Sequence, residues 1–183
     1  MSGNHLDIGP GTGWLLAHAR FDVATPDVEL LDLNPPPLAV TSKRLRERGI
    51  IARTHHGSVL SPLPVGRQFT SIAASLLMHC VPGGWDIKGV AFEHIAACTT
   101  DDGVFFGSTV LAEPATLLSR AVGAFFRRQG AFHNAGDDES GLRRALEASW
   151  GVVQLHRIGQ IALWTAREPR RSQTPRPRPG RSV

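Results

Sequence analysis

The chain has 183 residues, 42% hydrophobic and 20% charged, with a formal net charge of +4. That length and balance suit one globular domain and exclude a disordered chain, and the longest apolar run, "SIAASLLMHCV", is too short to cross a bilayer. From Arg167 onward there are six Arg and one Glu, so that end carries +5 and the rest of the chain carries −1. A nearly neutral body argues against a nucleic-acid partner, since phosphate binding needs a basic face.

The predicted elements run in chain order. "HLDIG" reads as a short buried strand, and "GWLLAHAR" as the helix after its glycine turn. "DVELLDLN" is a second strand, and Asn34 followed by Pro35 opens a helix to about Gly49. "IIARTHHG" is a third strand, and "FTSIAASLLMH" a fourth, almost wholly apolar one. "VPGGW" breaks the chain before a helix over "DIKGVAFEHIAACT". "DDGVFFGSTVL" turns into a fifth strand, followed by helices over "PATLLSRAVGAFFRRQG" and "DDESGLRRALEASW". "GVVQLHRIGQIALWTARE" closes as two strands around Gly159, an antiparallel hairpin.

Strand and helix alternate through most of this length. The fold class expected is therefore α/β: a doubly wound, mostly parallel, seven-stranded Rossmann-like sheet, helices on both faces and a C-terminal antiparallel hairpin. One domain is expected over residues 1–167, followed by a disordered Pro/Arg-rich tail over 168–183. The tail reads as a solvated extension or as a nucleic-acid arm, although no aromatic residue is interleaved to stack on bases. Cys80 and Cys98 lie in apolar runs and no signal peptide precedes the first strand, so a reducing cytoplasm is expected. The eight histidines are scattered, and neighbours His55 and His56 on a strand point to opposite faces, so no metal is expected. Nothing in the composition bears on oligomeric state.

The first turn carries the chemistry. "HLDIGPGTGW" places Gly9, Gly11 and Gly13 where a backbone can approach a ligand closely, with Pro10 between them. Phosphate is the usual guest of such turns, yet Asp7 stands two residues before the first glycine and would repel it, whereas it favours an ammonium or sulfonium. Capping of nearby backbone N–H groups is the structural alternative for Asp7. Asp32, 19 residues after Gly13 at the second strand's end, can accept both hydroxyls of a ribose.

The motifs "HLDIGPGTGWLL", "VELLDLNP", "SLLMHCVPG" and "GVFFGSTVL", in that order, resemble those of class I S-adenosylmethionine-dependent methyltransferases over roughly residues 4–166. The likeness is greatest to small bacterial and fungal methyltransferases with an "LLHCLPG"-like motif after the fourth strand. The resemblance implies S-adenosylmethionine as cofactor, its methionine part on the loop from Asp7 to Gly13, its ribose on Asp32 and its adenine against Leu33. There are departures. Ser58 with flanking Val59 replaces an acid that often binds the adenine amino group, and Ser75 with Leu76 ends the fourth strand where relatives often carry Asn and an aromatic residue. Members usually have lid helices before the first strand; here four residues precede His5, which leads us to expect that those helices are lacking, and the chain holds no Tyr.

His79 follows the fourth strand and is the candidate base or substrate contact, with a structural role in the "HCVPGG" turn as the alternative. Phe132, His133 and Asn134 are candidates to line an acceptor pocket, Trp14 to border it, and Asp137 and Asp138 to cap the next helix. The expected function is methyl transfer to oxygen or nitrogen of a small, secondary-metabolite-like molecule. A truncated, non-catalytic remnant or interaction module is the alternative, and a nicotinamide oxidoreductase would need a looser glycine loop.

Overall fold

The computed structural model describes residues 1–112 and 117–171. Seven strands form one sheet: β1 (Asn4–Ile8), β2 (Asp27–Asp32), β3 (Arg53–His56), β4 (Phe69–Ser75), β5 (Thr99–Val110), β6 (Trp150–Ile158) and β7 (Ile161–Pro169). Their order is β3-β2-β1-β4-β5-β7-β6; the first five are parallel, and β7 runs antiparallel to both β5 and β6. The helices are α1 (Trp14–His18), α2 (Pro35–Arg46), α3 (Trp85–Ala97), α4 (Leu117–Arg128) and α5 (Glu139–Ser149), with a 3₁₀ turn over Met78–Cys80. The expected α/β class and the terminal hairpin are both present.

Burial explains the central strands. Every residue from His5 to Ile8 is buried, as a parallel strand covered on both faces must be. His5 is fully enclosed and its Nδ1 meets Ser71 Oγ at 2.6 Å; burial lowers its pKa to about 3, so it sits in the core as a neutral ring. On the other half of the sheet, Phe92 of α3, Phe105 of β5, Trp150 and Trp164 pack ring against ring, with Phe105 stacked on Trp150 at 5.5 Å. Such contacts fix how α3 and the hairpin seat on the sheet. In β2, three residues before Asp32, the buried Glu29 carboxylate holds Arg53, Arg67 and His55.

Four local readings change. β4 stops at Ser75 rather than His79, because Leu76 takes φ +56°, a conformation no strand continues through. Asn34 precedes α2 but its side chain makes no cap bond; its N–H instead donates to Asp32 Oδ1 at 2.8 Å. Asp138 caps α5 through Gly141 N–H at 2.8 Å, whereas Asp137 turns inward to Lys88. β7 runs to Pro169, and the next two residues are also tied down: Arg170 N–H bonds Ser149 O and Arg171 bonds Thr99 O. The ordered fold thus reaches past the boundary expected at 167, and residues 172–183 of the expected tail lie outside the described residues. Among the described residues no helix is long and apolar enough to cross a membrane.

Candidate functional site

Chain order reverses between β1 and β4, since β2 and β3 lie to one side of β1 and β4 to the other. In such sheets the crevice beyond the strand ends at that point is where ligands bind. Here it opens as a cavity of about 380 Å³.

The turn after β1 forms one wall. Gly9, Gly11 and Gly13 take φ of +66°, +57° and +71°, a left-handed run that side chains resist. A Cβ on Gly9 would meet Leu77 at 2.7 Å and one on Gly13 would meet Thr41 at 2.7 Å, whereas Gly11 faces open space. Two α2 side chains lock the turn: Thr41 Oγ1 donates to Gly11 O at 3.3 Å and Arg44 to Thr12 O at 2.8 Å. Neither was foreseen, because nothing in a helical stretch marks which of its polar residues will reach back to an earlier loop.

Six expected residues line this cavity together: Gly9, Gly11, Asp32, Leu33, Ser58 and Val59. One Asp32 oxygen holds Asn34 N–H, and Ser58 Oγ accepts from Leu60 N–H at 3.2 Å. The sequence reading missed Ile8, Leu31, Asn34, Pro37, Gly57 and Leu60 beside them. It also missed Leu77, Cys80, Val81 and Pro82, and it noted Leu76 only as a departure at the strand end. These follow β4, and the rule that ligands sit beyond parallel strand ends was the available signal. Leu76 holds its left-handed backbone through Ser108 O at 2.8 Å, strain of the kind that collects at functional sites.

Asp7 is only 6% exposed and is not part of the cavity lining. No described residue hydrogen-bonds its carboxylate, and burial alone raises its pKa to about 7. The capping alternative for Asp7 therefore finds no bond here. Pro10 and Gly13 belong to the turn but do not line the cavity.

The remaining candidates lie elsewhere. Trp14 is 57% exposed and stacks on His18 at 4.3 Å, away from the cavity. Ser75 borders a second, more open hollow of about 330 Å³ with Phe106, Ser108, Gln154 and Thr165. His79, Phe132, His133 and Asn134 come together. His133 N–H donates to His79 O at 2.6 Å, Phe132 meets the His79 ring edge-on at 4.6 Å, and Phe126 stacks on Phe132 at 4.9 Å. Asn134 is buried, donating to Val110 O at 3.0 Å, so it ties the segment to β5.

His79 itself is 5% exposed. Burial, helped by the Lys88 charge, lowers its pKa to about 4, so the ring is neutral near pH 7. Its Nδ1 accepts Val110 N–H at 3.4 Å, which assigns the ring proton to Nε2. In this arrangement the ring's lone pair faces Val110 N–H, and Nε2–H can donate a hydrogen bond.

No protein-family model matches the chain. Demethylluteothin O-methyltransferase of Streptomyces thioluteus is 40% identical over 169 residues, covering 91% of this chain and 73% of that protein. The physcion biosynthesis cluster O-methyltransferase of Aspergillus chevalieri is 35% identical over 173 residues, with 91% and 76% covered. The crystal structure of an S-adenosylmethionine-dependent methyltransferase from Clostridium acetobutylicum superposes with a TM-score of 0.65 at 15% identity, over 90% of this chain and 83% of that one. With relatives this similar over most of their length, the chain belongs to the class I S-adenosylmethionine-dependent methyltransferase family.

Proposed function

We propose that the 380 Å³ cavity holds S-adenosylmethionine and that the chain methylates an oxygen or nitrogen of a small organic molecule. The observation that carries this reading is the meeting of the glycine turn and Asp32 in one cavity at the sheet's switch point. The residues fit the group. Gly11 leaves open space where a side chain would stand, the walls are apolar, and the buried Asp7 carboxylate lacks a partner of its own. Bound there, the cofactor supplies a methyl carbon activated by its sulfonium.

The chain's own residues do the rest. Asp7 offers negative charge behind the turn, where an ammonium or sulfonium lowers the energy of its ionised form. The Asp32 oxygen not occupied by Asn34 accepts ribose hydroxyls, while Leu33, Val59 and Leu60 enclose the base with Ser58 at its edge. Leu76 and Leu77 exclude water from the strand end. Phe132 and Phe126 offer flat apolar faces to the acceptor, and His79 Nε2–H can hydrogen-bond an oxygen of it beside the reacting atom; the methylated hydroxyl or amine would give its proton to solvent as S-adenosylhomocysteine leaves. Alignment and dryness are then the main contributions to rate. Trp14 and Ser75 have no part in this arrangement.

The relative from Streptomyces thioluteus is named for demethylluteothin, which makes that compound the first acceptor to try. Calorimetry with S-adenosylmethionine, S-adenosylhomocysteine and NAD, followed by a demethylluteothin methylation assay, tests the proposal. Binding of the two sulfur compounds but not NAD is expected. Silence from both, or a preference for NAD, would overturn it.

A further inference from the structure

Lys88 lies on the apolar stripe of α3, level with Trp85, Phe92 and Ile95, and is wholly buried. Its Nζ meets Asp137 Oδ2 at 2.6 Å, donates to His133 O at 3.1 Å and sits 5.4 Å from the centre of the Trp85 ring. Asp137 is equally buried, and its other oxygen has no partner among the described residues. A buried ion pair gains little over a well-packed apolar pair, because both charges lose their hydration. Its presence in the core asks for another role.

The pair's partners supply one. Lys88 grips the segment after α4 at two points, the carbonyl of His133 and the side chain of Asp137. Between those points Asn134 reaches Val110 O, and Asp137 O accepts Ala112 N–H at 2.8 Å, so the loop is held on α3 and β5 together. His133 N–H in turn holds His79 O, and Phe132 packs on the His79 ring. We infer that Lys88 and Asp137 form a positioning pair that sets the backbone of His133 and, through it, the Phe132 and His79 rings on the acceptor side. This rests on the proposed location of the acceptor. An apolar pair could fill the same volume, but it could not aim a carbonyl.

The test uses the full chain as Lys88→Met with Asp137→Leu, and as Asp137→Asn, which keeps shape and a hydrogen-bond acceptor but removes the charge. Amide hydrogen exchange of residues 132–137, Ala112 and β1, S-adenosylhomocysteine calorimetry and demethylluteothin kinetics are measured on each. We expect faster exchange at His133 and Ala112 with β1 amides unchanged, and S-adenosylhomocysteine affinity within about twofold of the unaltered chain. The demethylluteothin KM should rise about tenfold with a smaller change in kcat. A folded variant with unaltered exchange at His133 overturns the assignment, whichever acceptor the enzyme takes. So does an unaltered demethylluteothin KM in the double variant, which leaves no charge unpaired and stays decisive if Asp137→Asn, with its stranded Lys88 cation, does not fold. Failure of the functional reading shows separately, as absence of S-adenosylhomocysteine binding by the unaltered chain.

Discussion

The turn after β1 and the segment after α4 are held in place by different means. Three left-handed glycines shape the turn, and its supports are bonds from two α2 side chains to backbone carbonyls. The segment from Phe132 to Asp137 contains Gly136 only, and its shape comes from a buried ion pair, an Asn–carbonyl bond and ring packing to α3, β5 and the 3₁₀ turn. The first arrangement tolerates solvent and places charge beneath a cavity. In the second, Asn134 and Asp137 are buried while His133, Ala135 and Gly136 are exposed, so a missing partner is expensive at those two side chains. The glycine turn is thus shaped by backbone conformation and the segment after α4 by long-range side-chain contacts.

That contrast predicts unequal sensitivity. Lys88→Met alone should lose about 3–5 kcal/mol of stability in chemical denaturation, because it strands a buried carboxylate. A loss below about 1 kcal/mol would mean that Asp137 finds other solvation and that the segment is softer than the geometry implies. Asp32→Ala should weaken S-adenosylhomocysteine binding by about 1–3 kcal/mol by calorimetry while leaving the melting temperature nearly unchanged. Unaltered affinity would remove Asp32 from the ribose site.

Asp7 gives the next effect, through pH. Its pKa in the folded protein is raised from 3.8 to about 7, so below that value it binds a proton that a cationic ligand must displace. S-adenosylmethionine affinity should therefore fall by up to about tenfold, or ~1.4 kcal/mol, for each pH unit below 7, and Asp7→Asn should flatten that dependence. In the absence of ligand the same shift has the opposite consequence for folding. The unfolded chain releases this proton from pH 3.8 upward while the folded chain keeps it to about pH 7, so the Asp7 contribution to stability declines across that window. Asp7→Asn should consequently gain in melting temperature at pH 8 more than at pH 4. Trp14→Ala should change stability and S-adenosylhomocysteine affinity by less than about 0.5 kcal/mol, since its ring is mostly solvated and, among the described residues, stacks on His18 alone. A larger effect on binding would return Trp14 to the cavity mouth.

Much of the cavity beside the glycine turn was legible in the chain. A buried strand, a tight glycine run and a carboxylate at the next strand's end are local or period-two signals, and Gly9, Gly11 and Asp32, which they marked, share the cavity with Leu33, Ser58 and Val59, which the family resemblance implied. The surroundings of His79 were read less well. His79 was marked as a candidate base or substrate contact, but the sequence carried no sign that Val110 N–H would occupy its Nδ1. Lys88 passed unremarked, although a lysine among apolar residues at helical spacing signals a buried charge in need of a partner. Asp137 and Asp138 looked alike as helix caps, and only packing separated them.

The alternation of strands and helices, the order of the motifs and the left-handed turn were set by residue pattern, since periodicity and glycine act within a few residues of themselves. Which oxygen of Asp32 remains for a ligand, where β4 ends and which nitrogen of His79 carries the proton were decided by neighbours brought from 2 to 32 residues away. The physical reason is that hydrogen bonds, desolvation and ion pairing depend on what stands beside a group in space, and chain distance says little about that once the sheet has assembled.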